Sequence, residues 1–202
     1  GIIKAGLHPD KIDEYKTKYG KNWVETLLRE FKSAVVEYEK TRRQIDNSQE
    51  ETSTELLDKE AKLRDKASGF VGDLPVKVGD IISFPVFQIH SLRHGIKVVE
   101  FQTPHYERLI LMFAQKVLTQ NHWDTEDAIS KMETEVYHPP KLDRIHNSEY
   151  LNVERFTDFP QFNFDRIRIA PKNTYEDQLD GRYQLLIIIS GRAVVVTQSG
   201  NS

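Results

Sequence analysis

The stretch with the most chemistry in its residue types runs Gly79-Asp80-Ile81-Ile82-Ser83-Phe84-Pro85-Val86-Phe87-Gln88-Ile89-His90. A glycine turn opens an apolar run, a proline closes it, and a histidine follows on what reads as the next strand. A neutral imidazole can offer one ring nitrogen to a divalent metal. His90 is therefore the candidate metal ligand. Downstream, Glu100 and Gln102 are two residues apart in an apolar run, so on a strand they share one face. Facing a lumen, they would hydrogen-bond a sugar or orient His90; facing out, they are ordinary surface residues. Arg108 has a fork of donors suited to clamping a phosphate or polarising a sugar oxygen. Its plainer role is a surface salt bridge with Glu107 or Glu100. His94 and His105 read as solvated loop residues or polar lining. One histidine does not hold zinc, because tetrahedral sites recruit three or four protein ligands.

The pattern resembles the second conserved motif of the cupins, G-x5-P-x-G-x2-H-x3-N. Gly79, Pro85 and His90 fit its spacing, while Phe87 stands at its second glycine and His94 at its asparagine. The flanks are similar to those of type I phosphomannose isomerases. Pro75-Val76-Lys77-Val78-Gly79-Asp80 matches that family's lead-in, and Glu100-Phe101-Gln102 its E-x-Q strand. Tyr106-Glu107-Arg108 stands where it has T-Y-R, a resemblance that implies Arg108 as the catalytic residue, and Gly6 to Lys11 resembles its helix-entry segment. The similarity covers roughly residues 1–108, with an insertion at about 43–72. It implies a cupin jelly-roll barrel and an isomerase that interconverts mannose 6-phosphate and fructose 6-phosphate through a cis-enediol. It also implies zinc held by Gln, His, Glu and His. Of these only the last is matched here, by His90, so the chain alone is expected to lack zinc and activity. The alternative implied by Phe87 and His94 is a non-catalytic cupin, a sugar-binding or regulatory module. The partner in either case is a sugar phosphate or related carbohydrate, and the location is cytoplasmic.

The elements that must position these residues fall into two regimes. From Asp10 to Ser68 the chain reads helical. Pro9 suits a first turn, Gly20 a stop, and Asn22 with Glu25 a capping box. Trp23, Leu27, Phe31, Val35 and Tyr38 recur at helical spacing and predict a packed stripe. Residues 47–54 read as a turn, and a further helix is expected over Thr54 to Lys66. From Val71 onward, strands are predicted at Ile81 to Phe84, Ile96 to Phe101 and Leu109 to Phe113. A short helix follows at Thr125 to Met132, then a linker at His138-Pro139-Pro140. Further strands are expected at Val153 to Phe156, Phe164 to Ile169, Tyr183 to Ile189 and Ala193 to Thr197, the last two joined by a Ser190-Gly191 hairpin. The expectation is α+β and mainly β: a helical region over 1–70, part of a cupin barrel over 71–137, and a linker with the start of a second cupin-like β-domain over 138–202. Open strand edges in such a domain would favour a homo-oligomer.

Composition narrows the classes. The chain has 202 residues, 38% hydrophobic and 29% charged, with net charge -3. That is a globular balance with no basic stripe for nucleic acid. Apolar runs stay well short of the roughly 20 residues needed to span a bilayer. The absence of cysteine removes disulfide and thiolate chemistry. The start, Gly1-Ile2-Ile3-Lys4, lacks both a methionine and a signal-peptide core, so the chain is expected to begin inside a longer protein. No nucleotide-loop, serine-hydrolase or H-E-x-x-H pattern occurs.

Overall fold

The computed structural model describes residues 1–102, 108–112, 120–158, 162–178, 181 and 183–197. The first element is a strand the periodicity did not predict. In β1 (Ile2–Leu7), Ile3, Ala5 and Leu7 are buried in alternation. This is the period-2 pattern of a strand packed on one face. β1 is central: it pairs antiparallel with β2 (Val71–Pro75) and β3 (His90–Leu92), in the order β2-β1-β3. A register shift between Lys4 and Leu7 marks a bulge, and Gly6 takes φ 66° there. A Cβ at Gly6 would lie 2.6 Å from Cβ of Tyr137, so only glycine fits this close approach.

Between β1 and β2 the chain makes a helical excursion. In α1 (Pro9–Tyr19), Nδ1 of His8 accepts a hydrogen bond from the Asp10 amide at 3.2 Å, and Gly20 ends the helix at φ 54°. A single 3-10 turn at Gly20–Asn22 leads into α2 (Trp23–Asp46). Asn22 occupies the cap position but its side chain makes no capping hydrogen bond. The expected stripe holds: Leu27, Phe31, Val35 and Tyr38 are all 0% exposed. Each such side chain contributes about 1.5–3 kcal/mol through burial. α3 (Thr54–Ser68) starts at Ser53, whose hydroxyl accepts from the Leu56 amide, and packs on α2. Its buried residues are Glu60 and Ala67, whereas Leu57 faces solvent.

Distant segments close this core. Phe70 stacks on Phe31 at 5.2 Å between ring centroids, and Trp123 lies 5.0 Å from Tyr38. α4 (Thr125–Lys131), at the predicted position, adds Ile129, and Met132 follows it. A second sheet, in the order β4-β5-β6, is built from β4 (Asp143–Asn147), β5 (Leu151–Asp158) and β6 (Asn163–Ile169). β5 and β6 were expected; β4 was not, since its sequence DRIHN carries one apolar residue.

The architecture is thus mixed, with α-helices and two small antiparallel sheets, and among the described residues neither sheet closes into a barrel. Several predicted strands have no ladder: Ile81 to Phe84, Ile96 to Phe101, Tyr183 to Ile189 and Ala193 to Thr197. The predicted run at 109–113 is likewise unpaired over 109–112, and Phe113 lies outside the described residues. Apolar content nominates a strand, but only hydrogen bonds to a neighbour make one. Gly191 takes the expected turn conformation at φ 86°, yet its flanks do not pair. No helix among the described residues is long and apolar enough to cross a membrane.

Candidate functional site

The motif stretch leaves β2 and loops back to the same sheet as β3. Gly79 turns at φ 88°. Phe87 adopts φ 64°, a left-handed conformation that is rare for a bulky side chain. The Phe87 carbonyl accepts from the Glu133 amide at 3.2 Å, and the Gly6 amide donates to Ile89 O at 2.9 Å. These bonds bring His90 to its register with Ala5 on β1.

His90 is the best-positioned of the candidate residues. Its ring stacks on Phe84 with centroids 4.1 Å apart and planes within 8°. Its Nδ1 lies 2.8 Å from the carbonyl oxygen of Gln88. A carbonyl only accepts, so this contact makes Nδ1 the protonated nitrogen and leaves the Nε2 lone pair available. Tyr137 completes the wall: its ring is 5.2 Å from Phe84 and its hydroxyl donates to Ser83 O at 2.7 Å. Burial pushes the Tyr137 phenol up to about 12. Gln88 is 8% exposed, and its amide nitrogen, packed against the close approach of Gly6 and Tyr137, is buried without a hydrogen-bond partner among the described residues. The cluster therefore offers an acceptor nitrogen beside aromatic surface, a combination suited to a hydroxyl-bearing ligand.

The other candidates lie elsewhere. Glu100 and Gln102 are exposed in a segment without strand pairing, so the shared-face argument does not apply to them. No hydrogen bond or ion pair among the described residues joins either to His90. Phe101 between them packs on Phe164 of β6 at 4.4 Å. Arg108 is exposed and engaged with a partner of its own, while Tyr106 and Glu107 lie outside the described residues, as does His105. His94 is exposed in the turn after β3. Among the described residues no three His, Asp or Glu side chains converge to hold a metal. The residues described here therefore do not by themselves fit a zinc site, and His90 is the one ligand-type group in the cluster.

Gln88 and Tyr137 were missed in the sequence. Gln88 carried a signal, two residues before a histidine in a motif. Tyr137 carried none, because it reaches the cluster only through the fold of residues 120–137. Comparison with known proteins finds no match: no protein family, no curated protein and no solved structure.

Proposed function

We propose that this chain carries part of a cupin-type sugar-phosphate isomerase resembling mannose-6-phosphate isomerase, acting on a sugar phosphate in the cytoplasm. The observation that carries the reading is Phe87. It stands where the cupin motif has its second glycine, and its backbone keeps the left-handed conformation, φ 64°, that a glycine serves. The motif spacing and the backbone thus agree at a residue where the side chain alone would not suggest it. The availability of Nε2 on His90 supports the same reading, since that is the nitrogen a ligand or a proton would meet.

In this reading His90 and the Phe84–Tyr137 wall bind and orient the sugar, with Nε2 of His90 accepting from a hydroxyl and the Gln88 carbonyl holding the ring in place. Zinc, where bound in the family, polarises substrate oxygens; only His90 here stands at one of its ligand positions. Glu100, Gln102 and Arg108 would act as substrate-binding and catalytic groups only if residues 96–108 fold over His90, as strands of a jelly roll would. Strand pairing of that stretch with a second copy would also provide the homo-oligomer.

A second reading is favoured by the lone ligand-type residue. In it the chain is a non-catalytic cupin, a sugar-binding or regulatory module. One experiment separates them: metal content and an aldose–ketose isomerase assay with mannose 6-phosphate on the full-length protein, with His90→Ala beside it. One zinc per chain and turnover, both lost in His90→Ala, support the isomerase. Sugar binding without turnover supports the module. Metal, turnover and sugar binding all unchanged in His90→Ala would overturn both.

A further inference from the structure

The second sheet carries a charge arrangement that the His90 site does not use. The register aligns Arg144 of β4, Glu154 of β5 and Arg166 of β6 in one row across the sheet. Residues directly opposite in antiparallel strands share a face. Asn152 and Arg168, paired with each other, form the next row on that face, with Asn147 opposite Asn152 on the other side. Glu154 is 8% exposed, and its Oε2 accepts from Nε and Nη2 of Arg166 at 2.9 and 2.6 Å and from Nη1 of Arg168 at 3.0 Å. The remaining Nη1 of Arg166 donates to the Gly79 carbonyl. Arg166 is therefore fully engaged as a tether.

Two guanidinium groups are not. Arg168 uses one nitrogen on Glu154 and is 55% exposed along its side chain. Arg144 is exposed and makes no ion pair or hydrogen bond among the described residues. Two other carboxylates of these strands are turned away. Asp165 is bound to Arg155 on the opposite face at 2.9 and 3.0 Å, and Asp143 is in register with Arg155, hence on that face too. Among the side chains described on these strands, this face therefore presents three guanidinium groups against one buried carboxylate. A surplus of forked donors held on strands suits a tetrahedral oxyanion.

We propose that this face of the β4-β5-β6 sheet binds the phosphoryl group of a small phosphorylated ligand, with Arg144 and Arg168 as its direct donors. Glu154 positions the site: it fixes Arg166 and Arg168 and, already neutralised by them, does not repel the anion. Asn152 lies between the two donors. The site uses none of the residues around His90 and does not rest on the reading given to them.

The test is a titration of inorganic phosphate into the chain at constant ionic strength, followed by proton–nitrogen spectra that include the arginine Nε–Hε signals. The expected result is saturable binding that moves the Arg144 and Arg168 signals. The double variant Arg144→Gln with Arg168→Gln should weaken it by about tenfold or more. A control that removes the same charge elsewhere, Lys141→Gln with Lys172→Gln, should leave it within about twofold. Absence of saturation, or equal weakening by the control, would show only diffuse attraction to a charged surface and overturn the proposal. The signal shifts in the unaltered chain decide the matter even if a variant fails to fold.

Discussion

Two regions of this molecule carry apolar patterns and have opposite fates. The stripe on α2 disappears into a core assembled from β1, α1, Phe70, Trp123 and α4. The runs at 96–101 and 183–197 stay in the open: Val98 is 53% exposed, Leu186 59% and Val195 64%. The difference is in how each element satisfies its backbone. A helix pairs its own amides and carbonyls, so an apolar stripe needs only a surface to pack on. A strand needs a neighbour for both its hydrogen bonds and its side chains. The α2 stripe finds its surface within the chain, whereas these runs have no ladder partner among the described residues.

The sharpest way to break the comparison is to cut into the helical core. Phe31→Ala removes a fully buried ring stacked on Phe70 and should cost about 3–5 kcal/mol, read as a large drop in midpoint by denaturant unfolding. A loss below about 1 kcal/mol would mean that the core is not packed as described. The same region should set the alkaline limit of stability. Burial, then the nearby Glu60 carboxylate, raises the Tyr38 phenol to about 12. Its folded pKa thus lies above the unfolded value near 10, so the unfolded chain releases the proton first. This stabilisation is complete below about pH 10 and is lost as pH rises toward 12, by roughly 2–3 kcal/mol. Tyr38→Phe should flatten that part of the pH profile.

The two regions also differ in what a tyrosine hydroxyl is worth at neutral pH. The Tyr38 hydroxyl is buried beside the Glu60 carboxylate without a well-formed hydrogen bond, whereas that of Tyr137 donates to Ser83 O. Tyr137→Phe should therefore cost about 1 kcal/mol and Tyr38→Phe close to none, measured side by side in urea. In the motif stretch, Phe87→Gly should stabilise the protein by about 1 kcal/mol, because the left-handed backbone strains a bulky residue and not glycine. A loss of stability would instead give the Phe87 ring a packing role. The smallest effect is expected at 183–197. Leu186→Lys should change stability by less than about 0.5 kcal/mol while raising solubility. A large loss there would reveal a partner for this run.

Much of the helical half was legible because capping and stop residues act locally. Pro9 and Gly20 punctuate the chain by what their own backbones favour, and the α2 stripe is a repeat that can be counted along the chain. β1 was not legible, since a six-residue strand with one lysine is defined by β2 and β3, from 64 or more residues away in register. The candidate site divides in the same way. Gly79, Pro85 and His90 are visible as a spacing, but the groups that make His90 chemically useful are not. The Gln88 carbonyl that orients its tautomer, the Phe84 ring against it and the Tyr137 wall are contacts, and contacts depend on the path of the whole chain.

The sequence by itself therefore determined the helices, their ends, the charge balance and one histidine in a cupin-like spacing, because those depend on residues a few positions apart. The tertiary structure alone decided that β1 is the centre of the first sheet and that Glu154 gathers Arg166 and Arg168. It also decided that several apolar runs remain without a ladder. Each of these depends on long-range backbone pairing, whose register and partners are set by the free energy of the assembled chain and not by any segment alone.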